Sequence, residues 1–312
     1  MNVEVSVIMP VYNSARFVSA ALESVLGQSL RDIEVVAIDD GSTDGSGEML
    51  DQMARGDGRV RVVHRENRGI VATLNEGLEM ARGKYIARMD SDDVAMPERF
   101  ARQVAFFNEH PEHVCVGGLV LLMDAAGRPL QVLRPPMEHE EIDRAHMGGH
   151  TSIVHPAAMM RAETVRRVGG YSPGIRFAQD LDLWLRLAEV GKLANIPSVV
   201  LKYRVHADSI TSRHAEEQLN CMRQSCDLAR ARRGIAGQVE IARHWRAEGE
   251  KQKAEAMLNF GWLAFSHGYR WTALVYGVKS VAARPAGVRG WKLLGCAAIK
   301  RMPPVEGLGV RG

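Results

Sequence analysis

Val5-Ser6-Val7-Ile8-Met9-Pro10 and Ile33-Glu34-Val35-Val36-Ala37-Ile38-Asp39-Asp40-Gly41 decide the fold. Each is a short, apolar, β-branched run closed by a turn former, the pattern of a strand buried on both faces. Between them, Ala15 to Leu26 places Phe17, Ala20, Ala21, Ser24 and Val25 at helical spacing. A second helical pattern begins at Ser46 and reaches Ala54, followed by a strand at Arg59-Val60-Arg61-Val62-Val63. A third helix near Val71–Ala81 then leads to the strand Tyr85-Ile86-Ala87-Arg88-Met89. Strands alternating with helices imply a parallel sheet, so residues 1–95 are expected to form a βαβαβαβ unit. Ligands of such sheets bind beyond the carboxyl ends of the strands. There lie Tyr12-Asn13, Asp39-Asp40 and Asp90-Ser91-Asp92-Asp93, so one shared crevice is expected.

Downstream, the pattern gives a helix over 97–109, an apolar strand Val114–Met123, a Pro-rich connection at Arg134-Pro135-Pro136 and a mixed stretch over 141–212. Beyond about Ala215 the strand signals fade, and Gly234, Gly249, Gly268 and Gly287 separate Ala- and Leu-rich helical stretches. The boundary is placed at 212, giving a body of 1–212, with halves 1–95 and 96–212, and a helical region over 213–312. With 40 Lys+Arg against 37 Asp+Glu the net charge is only +3, which speaks against nucleic acid as a partner. The charge is uneven, however: residues 215–312 hold 16 basic and 8 acidic side chains, while 1–214 hold 24 and 29.

Cys115, Cys221, Cys226 and Cys296 include no C-x-x-C pair in a chain long enough to fold without staples, so reduced thiols are expected. No basic leader precedes an apolar stretch, and no run of about eighteen apolar residues occurs. The expected location is cytoplasmic, with membrane contact limited to the inner face. Trp245, Trp262, Trp271 and Trp291 stand among Arg and Lys in the tail, which fits either a basic surface resting on anionic lipid or an appendage packed on protein.

Two phosphate motifs are absent. Gly41, Gly45 and Gly47 do not make G-x-G-x-x-G and follow the second strand, and Gly83-Lys84 is followed by Tyr85 where a P-loop needs Ser or Thr. Asp90-Ser91-Asp92, at the end of a strand, can bring two carboxylates to one hard cation and leave room for diphosphate oxygens. Taken alone, it could equally be an acidic turn capping the next helix.

Several motifs in order carry a resemblance. They are Val5-Ser6-Val7-Ile8-Met9-Pro10-Val11-Tyr12-Asn13, then Val36-Ala37-Ile38-Asp39-Asp40-Gly41-Ser42-Thr43-Asp44, then Asn67-Arg68-Gly69 with Asn75, then Ala87-Arg88-Met89-Asp90-Ser91-Asp92-Asp93 followed by Pro97-Glu98-Arg99. Over roughly residues 3–212 the chain resembles family-2 inverting glycosyltransferases of the A-type nucleotide-diphospho-sugar transferase fold, a Rossmann-like α/β domain, here with a C-terminal α-helical extension. The resemblance makes 1–95 the nucleotide-binding half and 96–212 the acceptor half. It implies that Pro10, Tyr12 and Asp40 cup the nucleobase and ribose, Tyr12 by stacking and Asp40 by accepting from the base. Arg68 and Arg88 would approach the diphosphate, Gly69 would admit the ligand to the backbone, and Asn13, Ser42, Asn75 and Ser91 complete the donor site. Asp90 and Asp92 would hold a divalent metal, Mn2+ or Mg2+, with His206 of Tyr203-Arg204-Val205-His206 completing its coordination.

Gln179-Asp180-Leu181-Asp182-Leu183-Trp184 stands where the family usually shows Glu-Asp before an amphipathic helix. Gln179 replaces the first carboxylate. Asp180, the second, is implied to be the general base, and Asp182 reads as an acid favoured by the helix dipole. His155, beside Pro156, is expected to be structural. The reaction implied is sugar transfer from a nucleotide donor, a UDP-sugar by expectation, to a hydroxyl of a glycan or lipid-linked glycan in polysaccharide or cell-envelope assembly. The rival from another class is a nucleotide-sugar-binding or scaffold protein that keeps the fold without turnover, for which Gln179 is the one encouragement.

Overall fold

The computed structural model describes residues 3–205, 215–239, 241 and 251–305. Strands β1 (Val5–Val11) and β2 (Ile33–Asp39) are buried at every residue and pair in parallel, Val5 opposite Ile33 and Val11 opposite Asp39. β3 (Val60–His64) extends the sheet beyond β2, and β4 (Tyr85–Arg88) pairs with β1 on its other side, both parallel. Helices α1 (Val18–Leu26), α2 (Ser46–Gly56) and α3 (Ile70–Met80) make the crossovers. The chain therefore leaves β1 in one direction and returns to it from the other, and a crevice opens at such a switch point.

Two residues explain how the switch point is tolerated. The carbonyl of Ile8 accepts from Met89 N–H and that of Val11 from Asp40 N–H, so the nitrogen of Pro10 faces the β4 side. Pairing with β4 ends at Ile8 opposite Arg88, so the missing N–H of Pro10 breaks no rung. Gly77 lets α3 lie close, since a Cβ there would stand 2.5 Å from Cγ2 of Ile8.

The second half is mixed, as its sequence implied. It contains β5 (Val94–Ala95), α4 (Arg99–Glu109), β6 (His113–Asp124), β7 (Pro129–Leu133), α5 (His139–Met147), a 3-10 turn at His155–Ala157, β8 (Met159–Arg161), α6 (Ala162–Arg167), α7 (Gln179–Ala188) and β9 (Lys192–Val205). Among the described residues the nine strands run β3-β2-β1-β4-β8-β6-β9-β5, with β7 paired to β6. β8 is antiparallel to β4 and β6, and β5 to β9. Leu74 and Leu78 of α3, Ile8 and Ile86 of the sheet, and Leu183, Trp184 and Leu187 of α7 share one core.

By contacts the chain forms two units. The first is Met1–Val120, Arg134–Tyr203 and Asp208–Ile241; the second is Leu121–Leu133, Arg204–Ala207 and Ala242–Gly312. This division differs from a single cut at 212, a position that lies outside the described residues. Helix α8 (Ala215–Arg232), expected in the tail, belongs to the first unit because Cys226 and Ala229 are buried with Leu181 and Leu185 of α7. The second unit holds α9 (Lys251–Ser266), α10 (Arg270–Ala283) and α11 (Val288–Ile299). Small residues seat these helices: a Cβ on Gly277 would lie 3.0 Å from Leu294, and one on Gly290 3.1 Å from Val281.

Candidate active site

The loops after β1, β2 and β4 converge, joined by short polar side chains. Asn13 takes a left-handed φ of 48°, which asparagine tolerates better than most residues. Its N–H donates to Ser42 Oγ at 3.0 Å, and its Oδ1 accepts from Thr43 N–H at 2.9 Å. Ser14 N–H donates to Ser46 Oγ at 2.8 Å, Ala15 N–H to Asp44 Oδ2 at 2.9 Å, and the hydroxyls of Ser14 and Ser91 lie 2.7 Å apart. Asn13, Ser42 and Ser91, each implied in donor binding, are thus brought together, with these contacts shaping the rim. Tyr12 stands out from it, 54% exposed.

Asp40 is nearly buried, and its carboxylate organises the next loop. Oδ1 accepts from Arg68 N–H and Arg65 Nε, Oδ2 from Gly69 N–H, each at 2.9 Å. Gly69 has φ 84°, a conformation that favours glycine. The Arg68 side chain is left exposed. Arg65, which no motif signalled, is itself fixed by Glu76 and Thr73. Asn75, expected in the donor site, also has a partner that the sequence did not signal. Its Nδ2 donates to Tyr171 O at 2.8 Å and its Oδ1 accepts from Tyr171 N–H at 2.9 Å, so its whole amide ties α3 to the segment before α7.

At the end of β4, Asp90, Asp92 and Asp93 each offer a carboxylate oxygen within 4.8 Å of the others. Hard oxygen donors at this spacing suit Mg2+ or Mn2+, so the residues fit the metal. Asp93 belongs to this group although it received no role from the sequence, where its signal was simply the next position in the acidic run. His206 lies outside the described residues. Arg88 is buried and ion-paired with Asp90; burial works against its charge, but Asp90 outweighs this and raises its pKa. Its Nε is buried with no hydrogen-bond partner among the described residues. Arg99, which stands in the Pro97-Glu98-Arg99 motif without an assigned role, is fully buried, donating to Arg88 O at 2.9 Å and Ala158 O at 3.1 Å. Burial lowers its pKa to about 9, with Asp93 opposing, so the guanidinium stays charged at neutral pH. Tyr203 also borders the acids: burial and then Asp90, Asp93 and Asp92 raise its pKa.

Asp180 sits in the first turn of α7, whose N-cap is Ala178, a non-glycine residue at φ 57°. Burial raises the Asp180 pKa, with Asp90 adding to the rise and Arg88 opposing it, so the carboxylate is within electrostatic reach of the acid cluster. Asp182, by contrast, is buried and held by Ser172 Oγ at 2.6 Å and by Arg186 at 2.6 Å. Its carboxylate is thus taken up by an ion pair within α7 and a hydroxyl of the preceding segment. His155 is enclosed by aromatic side chains: its Nε2 lies 2.8 Å from Tyr171 Oη and its ring packs edge-on to Trp184. Burial, reinforced by Arg88, lowers its pKa well below the ordinary histidine value.

Residues 6–169 match the family described as glycosyl transferase family 2. The putative glycosyltransferase EpsE of Bacillus subtilis (strain 168) is 35% identical over 215 residues, covering 67% of this chain and 76% of that protein. The amylovoran biosynthesis glycosyltransferase AmsE of Erwinia amylovora is 32% identical over 213 residues, covering 67% and 79%. Among solved structures, S. aureus TarS 1-349 in complex with UDP-GlcNAc aligns with a TM-score of 0.60 at 17% identity, over 97% of this chain and 95% of that one. Mannosyltransferase PcManGT from Pyrobaculum calidifontis, in complex with GDP-Man and Mn2+, aligns with a TM-score of 0.57 at 20% identity, over 96% and 80%.

Proposed function

The chain belongs to glycosyl transferase family 2 and has the A-type transferase fold, and from that premise we propose a metal-assisted, inverting transfer of sugar from a UDP-sugar to a hydroxyl of a glycan or lipid-linked glycan. The observation that carries this reading is the meeting of Asp90, Asp92 and Asp93 at the switch point, with Asp180 in electrostatic reach. The exposed Tyr12 ring offers a stacking face to the base, with Pro10 at the strand end and Asp40 holding the Arg68–Gly69 backbone beside it. Asp90, Asp92 and Asp93 would hold Mn2+ or Mg2+, which supplies neutralising charge to the leaving diphosphate. Arg88, its charge kept by Asp90, adds a fixed positive charge; Asn13, Ser42 and Ser91 keep the three loops in register.

Asp180 takes the proton of the acceptor hydroxyl as that oxygen bonds to the anomeric carbon. The bond from that carbon to the phosphate oxygen breaks, its electron pair leaving with the nucleoside diphosphate from the opposite face, and the configuration inverts. A carboxylate whose pKa is raised by burial is the stronger base. Uridine as the base is supported by the TarS complex with UDP-GlcNAc, metal use by the Mn2+ in PcManGT, and a polysaccharide setting by the amylovoran relative. No helix among the described residues is long and apolar enough to cross a membrane, and we place the reaction at the cytoplasmic side, where nucleotide sugars are available.

The test is a panel of nucleotide sugars with candidate acceptors, read by nucleoside diphosphate release and by the anomeric configuration of the product. Metal-dependent release with an inverted product is expected. A retained configuration would overturn the role of Asp180. Binding without release for any acceptor would favour the non-catalytic reading that Gln179 suggests.

A further inference from the structure

Helices α10 and α11 take no part in the chemistry above, yet their surface is unusual. From Arg270 to Arg301 the chain carries seven Lys or Arg and no Asp or Glu. Arg270 is used internally, donating to Ala298 O at 3.2 Å and Lys300 O at 2.8 Å at the end of α11. Lys279, Arg284, Lys292, Lys300 and Arg301 are exposed. The apolar residues divide into two sets. Ala273, Tyr276, Leu293 and Ala297 are buried, while Trp271 (72% exposed), Val278 (57%), Val288 (78%), Trp291 (54%) and Ile299 (86%) face outward. On α10, Trp271, Val275, Val278 and Ala282 recur every three or four residues; on α11, Val288 and Trp291 lie one turn apart and Ile299 two turns further. Single exposed aliphatics are ordinary, but an aromatic and aliphatic row on each of two neighbouring helices marks an interaction surface.

We propose that the α10–α11 hairpin docks on an anionic lipid bilayer, lying in the interface plane with its tryptophan and aliphatic side chains at the acyl boundary and its Lys and Arg among the headgroups. Two physical arguments fix that occupant and that mode. At about 1.5 Å per residue, helices of 14 and 12 residues fall well short of the roughly 30 Å hydrocarbon core, so they can lie on the bilayer and cannot span it. A second copy of the chain would bring this acid-free basic surface against itself, with like charges and no counter-ions. Nucleic acid would satisfy the charge but would leave Val278, Val288 and Ile299 in water, since aliphatic side chains offer bases no stacking face. A bilayer with anionic headgroups accommodates both sets. The surface is independent of the proposed transfer chemistry and would serve a binding protein equally.

The test uses the full chain and co-sedimentation with vesicles of phosphatidylcholine, alone or mixed with phosphatidylglycerol. Binding to the mixed vesicles only, weakened by salt, is expected. Replacing Lys279, Arg284, Lys292 and Lys300 together by Gln should lower the partition coefficient roughly 10³-fold. Trp271→Ser with Ile299→Ser, at unchanged charge, should lower it roughly tenfold. Both variants should keep wild-type nucleotide-sugar binding, which separates lost docking from lost folding. Equal binding to neutral and anionic vesicles, or charge and Trp271/Ile299 variants that bind like wild type, would overturn the proposal. So would a dimer that Trp271→Ser with Ile299→Ser dissolves, or a preference for nucleic acid over mixed vesicles.

Discussion

On the side proposed to bind the donor, Asn13, Ser14, Ser42, Ser46 and Ser91 link three loops through backbone-to-side-chain and hydroxyl-to-hydroxyl hydrogen bonds of 2.7 to 3.0 Å, and the segments they join follow three consecutively paired strands. On the side of the proposed base, Asp180 rides on a helix whose position comes from packing: Leu183, Trp184 and Leu187 enter the main core, while Leu181 and Leu185 are covered by Cys226 and Ala229 of α8. The first construction is polar and local. The second is apolar and reaches far along the chain. Loss of one hydrogen bond between loops should therefore alter donor affinity slightly, whereas loss of packing around α7 should cost stability and displace the base.

The largest separation of the two sides is expected from Asp180→Asn. Steady-state turnover should fall by roughly 10² to 10⁴-fold, the contribution of a positioned general base, while calorimetric donor affinity stays at the wild-type value. Next is Leu185→Ala, which empties part of the α7–α8 contact; urea unfolding should show a loss of about 2–5 kcal/mol. Cutting the chain ahead of α8 should do more damage than that single variant, because it uncovers both Leu181 and Leu185.

A pH effect of similar size belongs to the same side. His146 of α5 is buried, its Nε2 accepts from Ser152 N–H at 3.0 Å, and its carbonyl accepts from Cys226 Sγ. Burial lowers its pKa from 6.5 to about 4. Above pH 6.5 the ring is neutral in both folded and unfolded chains; as pH falls towards 4 only the unfolded chain gains the proton, and stability declines. The loss should approach about 3 kcal/mol, and His146→Gln should flatten the dependence of the unfolding midpoint over that window. The smallest effect is on the donor side. Ser14→Ala removes the Ser14–Ser91 contact, worth about 1 kcal/mol, and should raise the donor KM no more than about fivefold with kcat intact.

The same contrast explains what could be read in the sequence. The order of β1 to β4 and their helices was legible because β1, β2 and β4 are mostly apolar runs and the turns between them carry Asp, Gly and Ser, whereas the two residues of β5 leave no pattern. The converging polar loops were legible for the same reason, since strand ends fix where they must meet. Asn75 shows the limit: it stands in a motif, but its amide bonds to Tyr171, 96 residues away, and no local pattern reports such a partner. Arg65 stands in no motif, and Arg99 stands in one without a role, because a buried guanidinium and a surface one look alike in sequence. The place of α8 was hidden as well: its small buried residues, Cys226 and Ala229, give only a faint apolar stripe, and the basic side chains around them suggested a tail.

The most direct measurement is calorimetric titration of nucleotide sugars, with and without Mn2+, into the wild-type chain and into Asp92→Ala. We expect a uridine donor to bind the wild type in the presence of the metal, and that binding to weaken by roughly 10²-fold without metal or in Asp92→Ala. Equal affinity in the variant, or no binding of any nucleotide sugar with metal present, would contradict the assignment of the acid cluster and the donor crevice built around it.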